Sequence, residues 1–394
     1  MAYTLLGGVR VLEMALLAPD LLGMHLADLG AEVIKIEQPP DGDYLRAIGG
    51  RKLAGLNLMH LRWNRGKKSV TLDLKRAEGQ HLLHRLAATA DVFIDGLRQG
   101  AAARCAADYE RLRAVNPRLV YCTLSGAGTS GPYAALATHG VAYDAFAGLA
   151  PPVTHADGSP RIPSYTAVGM LAAPLHAALA VCAALVQART TGRGRLLEVA
   201  ELDVAAAWQA EHLDAASNGV ASAIPDMIPA VRYQYYRTAD DRVVLLQASE
   251  RKFWRNFCTA VGRPDLFEAK PGQAAGDHAR GDEALRAELA AIFRTRTRAE
   301  WIELFIAHDV PGGPVYTADE LLEDPHFRAR ELLFAQDHPV AGHVRLFGTP
   351  VKVDGERFAA TPAPAPGEHT AEVLGGTLGL SAAEIERLRA EGVV

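Results

Sequence analysis

A single histidine, His139, stands seven residues after the Gly131-Pro132 pair in the stretch SGAGTSGPYAALATHG. A histidine at such a place could be a metal ligand, a buried core residue, a surface residue or a catalytic base. The HExxH spacing of zinc enzymes is absent and the 14 histidines are scattered, so the pattern predicts no metal site. The residues alone leave the other three interpretations open.

Four basic residues lie within the stretch NRGKKSVTLDLK (64–75), namely Arg65, Lys67, Lys68 and Lys75. They could form a solvated charge cluster. They could also grip a phosphate-bearing ligand, since arginine makes paired hydrogen bonds to phosphate oxygens. Composition does not decide between the two.

The stretch GAGTSG (126–131) fits the dinucleotide pattern GxGxxG. That pattern holds a pyrophosphate only where its glycines lead from a strand into a helix. Here Pro132 follows at once, and the first β-α turn, EMALLAPD, has no glycine cluster. The sequence therefore does not favour an NAD site, although a glycine turn could still bring backbone close to a ligand.

The composition is that of a globular protein of two or three domains, with 394 residues of which 49% are hydrophobic and 22% charged. A net charge of −5 gives no basic field for nucleic acid. No signal peptide is recognised at the N-terminus, because Glu13 and Asp20 interrupt the apolar stretch. The four cysteines are far apart, which argues against a disulfide framework and suits a reducing cytosol: Cys105, Cys122, Cys182 and Cys258. We expect a cytoplasmic protein.

No residue between Arg161 and Arg189 carries a formal charge. This uncharged segment is long enough to span a membrane. The stretch is rich in alanine, contains Pro174 and His176, and has no aromatic belt. These features predict a buried, tightly packed helix and no membrane partner.

Apolar runs of strand length alternate with helical spacing along the first half of the chain. GVRVLEM, AEVIKIE, DVFIDGL and RLVYCTLSG read as strands, and APDLLGMHLADLG reads as a helix. This alternation predicts an α/β protein with a parallel sheet covered by helices. A predicted hairpin with its turn at Asp240-Asp241 lies near the start of a smaller domain. We predict a large domain whose first part is 1–224, a small domain at 225–330 and a C-terminal segment of the large domain at 331–394.

Many phrases spread in order over nearly the whole chain resemble the family III CoA-transferases (CaiB/BaiF), a group that also contains α-methylacyl-CoA racemase. They include LGGVRVLEM, LADLGAEVIKIEQPPDGDYLR, NRGKKSVTLDLK, DVFIDGLRQG, NPRLVYCTLSGAGTSGPYA, TTGRGRLLEVAELD and VPGGPVYTADELLEDPHFRARELL. The resemblance implies a Rossmann-like large domain to which the C-terminal segment returns, with the small α+β domain between. It also implies an interlocked dimer, which could be a homodimer or a heterodimer with a related subunit.

The resemblance further implies an acyl-CoA substrate and no tightly bound cofactor. The matching motifs transfer CoA contacts to Arg65, Lys75, Gly96 and Arg98. One departure is Gln38, which stands where many members of the family have a basic residue.

The catalytic residues of the family are where this chain differs. The transferases use an aspartate nucleophile, and the matching position here is Gly169, with no Asp or Glu between Asp157 and Glu198. The racemases pair that aspartate with a histidine, which matches His139, and orient the histidine with a glutamate, which matches Glu250.

Three hypotheses follow. The first is an acyl-CoA enzyme in which His139 alone moves an α-proton and Glu250 orients it, giving isomerisation, elimination or racemase-like exchange. The second is CoA transfer that uses another nucleophile or an Asp-bearing partner subunit. The third is a CoA-binding protein without catalysis.

Overall fold

The computed structural model describes residues 3–220 and 227–394. The chain divides into two compact units, of which the first comprises Met1–Ala210 and Glu331–Val394 and the second Glu211–Arg330. The domain boundary predicted between residues 224 and 225 lies outside the described residues. The first unit is thus built from two segments of chain, and the second from the segment between them.

Six parallel strands form the main sheet of the first unit. They are β1 (Arg10–Ala15), β2 (Glu32–Glu37), β3 (Lys67–Thr71), β4 (Val92–Gly96), β5 (Val120–Ser125) and β6 (Leu196–Ala200). They lie in the order β6-β5-β4-β1-β2-β3, and all neighbours are parallel. This is the strand order of the Rossmann fold. From β1 the strands are added first towards one edge of the sheet (β2, β3) and then, starting with β4, towards the other edge. The predicted Rossmann-like α/β class is confirmed.

The strands have runs of branched apolar residues because both faces of the sheet are covered. Val11 and Leu12, which point to opposite faces of β1, and Phe93 of β4 are fully buried. At the carboxyl ends of these two strands Ala15 pairs with Gly96. Ligands of open α/β sheets bind in the crevice at such a reversal point, so this pair of strand ends marks the expected binding edge.

Helices cover both faces of the sheet. The helices of this part of the first unit are, in chain order, α1 (Asp20–Asp28), α2 (Leu58–Trp63), α3 (Ala77–Ala87), α4 (Ala101–Arg104), α5 (Tyr109–Val115), α6 (Val141–Phe146), α7 (Val168–Thr191) and α8 (Glu201–Ala207). Leucines of α3 and α5 join the apolar core on one face, and α1 and α7 build the core on the other. This three-layer arrangement is what the alternating pattern of the sequence predicts.

Helix α7 is long and apolar enough to cross a membrane by length and composition, with a mean hydropathy of 2.0 and half of the tested window buried. Its alanines, among them Ala173 and Ala177, pack against the sheet and α1. Its opposite face exposes Leu175, Leu179 and Val186. The predicted tight packing therefore holds for one face of the helix.

The last segment of the chain returns to the large unit. It contains the antiparallel strands β10 (Leu333–His338) and β11 (Gly342–Phe347) and the helices α16 (Thr370–Leu378) and α17 (Ala382–Ala390). The His369 amide donates to the Ser69 carbonyl oxygen at 2.9 Å, and the Thr71 amide donates to Thr370 Oγ1 at 3.1 Å. These bonds fasten the returning chain beside the edge strand β3.

The second unit combines a small sheet with helices around an aromatic core. Its strands are β7 (Tyr233–Arg237), β8 (Val243–Gln247) and β9 (Gly312–Val315), all antiparallel. Its helices are α9 (Ala210–Ser217, whose first residue closes the first unit), α10 (Arg251–Ala260), α11 (Pro264–Ala269), α12 (Glu283–Phe293), α13 (Arg298–Ala307), α14 (Ala318–Glu323) and α15 (Pro325–Ala329). Trp254, Phe257, Phe293 and Trp301 are fully buried in its core. The predicted hairpin exists, with Asp241 in the left-handed region of its turn (φ 59°).

Candidate active site

His139 lies in the loop that joins β5 to α6, and its side chain is exposed. Its carbonyl oxygen accepts a hydrogen bond from the Ala142 amide at 3.2 Å, in the turn where α6 begins. Gly140, the N-cap residue of α6, has φ 54° and ψ −114°, a backbone conformation that side chains disfavour. The glycine that follows the histidine is therefore required by the turn that starts α6. A catalytic role for His139 stays a prediction.

The glycine pattern at 126–131 does not lead into a helix, since α6 begins at Val141. The loop is instead held by Glu198 of β6, whose carboxylate accepts the Thr129 amide at 2.6 Å and the Thr129 hydroxyl at 2.6 Å. This geometry agrees with the interpretation that the stretch is no pyrophosphate cradle.

Gly169 is the second residue of α7 and is buried. A Cβ atom built at this position would lie 2.6 Å from Tyr143 Cβ, 3.1 Å from the Glu201 carbonyl oxygen and 3.2 Å from Ala205 Cβ. Helices α6 and α8 therefore fill the space that a side chain at 169 would need. The missing carboxylate has left no empty hole behind it.

Two buried carboxylates lie beside Gly169, and the sequence reasoning missed both. Asp144 of α6 accepts the Gly169 amide at 3.1 Å and is completely buried. Glu201, the first residue of α8, is 2% exposed. One oxygen of each, Asp144 Oδ2 and Glu201 Oε1, has no hydrogen-bond partner among the described residues.

Both acids lie outside the segment between Asp157 and Glu198, which surrounds position 169 in the sequence and contains no Asp or Glu. The signal that could have found them is an acidic residue in a short, mainly apolar helix, as in VAYDAF (Asp144) and ELDVAAA (Glu201, with Asp203). Buried carboxylates without full hydrogen bonding are costly, so such residues deserve a chemical explanation.

The ionisation of Glu201 is shifted towards neutrality. Burial raises the pKa of Glu201 to about 7, the charge of Asp144 acts in the same direction, and the Tyr143 hydroxyl opposes them. Burial also raises the pKa of Tyr143, so this hydroxyl keeps its proton at neutral pH. The neighbourhood of Gly169 thus contains a carboxyl group that can gain or lose a proton near pH 7.

Arg65, one predicted CoA contact, is completely buried in the turn between α2 and β3. Its guanidinium donates to both carboxylate oxygens of Asp28, at 3.0 and 2.6 Å, and to the Arg62 carbonyl oxygen at 3.0 Å. The rings of Phe334 and Phe358 lie 5.7 Å from it. A direct contact of Arg65 with CoA stays a prediction, and it requires these bonds to open.

Other cations of the basic stretch are also held internally. Lys67 is buried and donates to Glu13 at 2.7 and 2.9 Å. Lys68 is half-buried and pairs with Glu32 and Glu372, each at 2.8 Å. Neither a fully solvated cluster nor a four-residue phosphate grip describes this stretch, because these bonds bind it to the fold.

The other predicted CoA contacts lie at the carboxyl ends of β3 and β4: Lys75 follows β3, Gly96 is the last residue of β4, and Arg98 follows it. Lys75 and Arg98 are exposed. A Cβ at Gly96 would lie 2.4 Å from Pro19 Cβ and 2.8 Å from Ala15 Cβ, so glycine is required for the close approach of the two strand ends. Contacts of these residues with CoA stay predictions.

Gln38, the departure noted in the sequence, is exposed after β2. Its side-chain amide donates to Asp73 Oδ1 at 3.2 Å, and the same oxygen accepts the Lys75 amide at 3.1 Å. Gln38 thus stabilises the turn that presents Lys75.

Glu250 lies in the second unit as the N-cap residue of α10, and its side chain is exposed. It lines a cleft of about 400 Å³ together with Tyr233, Ser249 and His278. Ser249 Oγ and His278 Nδ1 are 2.6 Å apart, so these two side chains hydrogen-bond to each other. His139 belongs to the first unit, and the predicted His139–Glu250 pair stays a prediction.

Metal ligation has no geometric basis within residues 3–220 and 227–394. There, no three histidine, cysteine, aspartate or glutamate side chains come together in a way that could hold a metal ion.

Comparison with known proteins assigns the family. The model of CoA-transferase family III matches residues 6–370. A succinate–glutarate CoA-transferase of Agrobacterium fabrum is 33% identical over 94% of both chains. The α-methylacyl-CoA racemase of Mus musculus is 30% identical over 99% of this chain and 97% of its own.

Solved structures agree with this assignment. The Rv3272 protein of Mycobacterium tuberculosis superposes with a TM-score of 0.79 at 31% identity, covering 94% of this chain and 99% of its own. A CaiB/BaiF family protein of Brucella suis gives a TM-score of 0.77 at 27% identity, covering 96% and 100%. The chain therefore belongs to CoA-transferase family III and is an enzyme of the type that includes CoA-transferases and an acyl-CoA racemase.

Proposed function

We propose that this protein acts on an acyl-CoA by one-base chemistry at the α-carbon, with His139 as the base. The observation that carries the proposal is the packing around Gly169. Gly169 has no carboxylate that could form the acyl and CoA intermediates of the transferases. A Cβ there would lie 2.6 Å from Tyr143 Cβ, so the neighbouring helices leave no room for a side chain. The histidine at the racemase position is the remaining candidate base.

The imidazole of His139 is exposed on the loop before α6, where a substrate can reach it. The α-proton of a thioester is acidic enough for a positioned imidazole if amide donors stabilise the enolate oxygen. Racemisation from both faces needs a second base opposite the first. A lone base therefore favours stereospecific exchange, double-bond isomerisation or elimination.

We further propose that CoA is bound at the carboxyl ends of β3 and β4 by Lys75, Gly96 and Arg98, with Arg65 as a fourth contact. The reversal of strand order between β1 and β4 supports this place, as do the exposed cations beside it. Glu250 is proposed to orient the His139 imidazole. The working form is proposed to be an interlocked homodimer, or a heterodimer with a related subunit, in the cytoplasm.

The test is hydrogen exchange at the α-carbon of 2-methylacyl-CoA thioesters in deuterated water, followed by mass spectrometry. His139→Gln should lower the exchange rate by 10²-fold or more, about what a general base contributes. His343→Gln is the matched control, because His343 is an exposed histidine on β11. Unchanged exchange in His139→Gln would contradict the proposal.

CoA transfer is the second candidate, favoured by the likeness to transferases. Besides the Agrobacterium protein, a succinyl-CoA–D-citramalate CoA-transferase of Chloroflexus aurantiacus is 31% identical over 99% of this chain and 98% of its own. Transfer here needs a nucleophile other than residue 169, or an Asp-bearing partner subunit. Mass spectrometry of the protein trapped during turnover would reveal a covalent CoA adduct. An adduct on this chain alone would favour transfer over one-base chemistry.

A further inference from the structure

We propose that Glu201, Tyr143 and the main-chain carbonyl of Thr138 form a positioning network for His139 that changes its hydrogen bonds when Glu201 loses its proton. The inference rests on the proposed function, because His139 is the base whose loop the network holds. Glu201 acts here as a positioning residue and touches no substrate.

The Tyr143 side chain is the centre of this network. Its hydroxyl donates to the Thr138 carbonyl oxygen at 3.2 Å, and Thr138 immediately precedes His139. The tyrosine is 5% exposed and its ring is tightly enclosed. A Cβ at Gly126 would lie 3.3 Å from its Cε1 atom, and one at Gly169 would lie 2.6 Å from its Cβ atom. The ring is therefore fixed, while the hydroxyl proton can rotate.

Glu201 is the second acceptor within reach of that hydroxyl. Its carboxyl interacts with the Tyr143 hydroxyl, and its Oε1 atom has no hydrogen-bond partner among the described residues. The Tyr143 hydroxyl can therefore form either of two hydrogen bonds. In one the tyrosine donates to Thr138, and in the other it donates to Glu201.

Among the described residues on the elements around Glu201, Tyr143 is the group proposed to exchange hydrogen bonds with it. Helix α6 contributes Tyr143 and Asp144, whose charge raises the pKa of Glu201. The first turns of α7, VGMLAA, contain no titratable side chain. On β6 the Glu198 carboxylate is engaged by Thr129, and on α8 the Asp203 side chain is exposed.

The two states follow from donor and acceptor roles. Protonated Glu201 donates a hydrogen bond to the Tyr143 oxygen and keeps its proton. The tyrosine hydroxyl then donates to the Thr138 carbonyl oxygen, which is the bond seen in the structure. When Glu201 gives its proton to solvent, the carboxylate is the stronger acceptor and takes the tyrosine hydroxyl. The Thr138 carbonyl then loses its donor, and the loop that carries His139 loses one anchor.

Nuclear magnetic resonance of the full chain, labelled at its histidine rings and glutamate side-chain carboxyls and free of any acyl-CoA, tests this network. Spectra of His139→Gln and Glu201→Gln assign the two signals. We expect one glutamate carboxyl to titrate near pH 7, and the His139 ring signal to change in step with that carboxyl. Glu201→Gln should remove both. Tyr143→Phe should remove the transition at His139 while leaving a titrating carboxyl.

Asp203→Asn is the matched control, since it removes an exposed acid from the same helix and should leave both signals as they are. A wild-type protein without a glutamate titrating between about pH 6 and 8 contradicts the proposal, and this measurement needs no variant to fold. A pH profile of the His139 signal that is the same in wild type and in Glu201→Gln also contradicts it. Because no substrate is present, a negative result here is independent of the exchange assay, which tests the proposed function.

Discussion

At position 169 the difference from an aspartate is a difference in packing as well as in charge. Even a methyl group at this position would collide with Tyr143, at 2.6 Å, and would crowd Ala205, at 3.2 Å. Asp144 binds the free amide of the same residue. The first turn of α7 is therefore adapted to glycine by its neighbours, and a single substitution cannot reinstate the usual site.

Substitution of Gly169 should destabilise the protein. Gly169→Ala is expected to cost about 1–3 kcal/mol of unfolding free energy through overpacking. Gly169→Asp should cost more, because it adds a third buried carboxylate beside Asp144 and Glu201. Thermal and chemical denaturation measure both. The control is Gly376→Ala in α16, where a Cβ meets nothing within 4 Å and alanine should stabilise the helix slightly. A stable Gly169→Asp protein with transferase activity would refute this account.

The raised pKa of Glu201 predicts a pH-dependent stability. The pKa of this carboxyl rises from 4.5 in the unfolded chain to about 7 in the folded protein. Its contribution to stability is fully present at pH values below 4.5 and is lost as the pH rises through 7. Glu201→Gln avoids that loss. Its stability relative to wild type should improve by up to about 3 kcal/mol between pH 4.5 and 8. Urea denaturation across this range checks it, with Asp203→Asn as the control that shows no such trend.

The turn between α2 and β3 shows how an element decides what its residues do. Its basic composition suggested either solvent exposure or phosphate binding. In the fold, β3 is an edge strand whose start lies against α1, and Arg65 reaches Asp28 at the end of that helix. The turn therefore uses its charge to join α1, α2 and β3. Sequence order cannot reveal this, because Arg65 and Asp28 are 37 positions apart.

Removal of the Arg65 side chain should affect stability. Arg65→Ala leaves the buried Asp28 carboxylate unpaired, and a loss of about 3–5 kcal/mol in unfolding free energy is expected. Lys68→Ala, which breaks two partly exposed ion pairs, with Glu32 and Glu372, should cost about 1 kcal/mol or less. Denaturation curves of the two variants give the comparison. Equal and small losses would mean that the Arg65–Asp28 pair does not support the fold.

At the scale of the whole molecule, helix α7 presents an apolar face that the described residues of the first unit do not cover. Leu175, Leu179 and Val186 of α7 are 51%, 71% and 68% exposed. Contiguous exposed apolar side chains on a core helix are typical of an interface. We propose that a second subunit covers this face, which in the homodimer is a second copy of the chain.

Light scattering after size exclusion should therefore give twice the mass of one chain. Leu179→Glu should shift the equilibrium towards the single chain by introducing a charge into the apolar face. Leu213→Glu, a substitution at an exposed leucine of α9, is the comparison and should leave the mass unchanged. A wild-type protein that elutes with the mass of one chain would refute the proposed homodimer.

The sequence by itself determined the α/β class, the parallel sheet, the hairpin of the small unit and the position of His139, because these depend on local periodicity and on motifs in a fixed order. It also determined that residue 169 carries no carboxylate. Only the tertiary structure decided that Gly169 admits no side chain, that Arg65 is buried, and that Asp144 and Glu201 lie beside α7. These facts depend on contacts between residues far apart in the chain, such as the 25 positions between Asp144 and Gly169. Burial, which moves the pKa of Glu201 towards 7, exists only once those helices have packed.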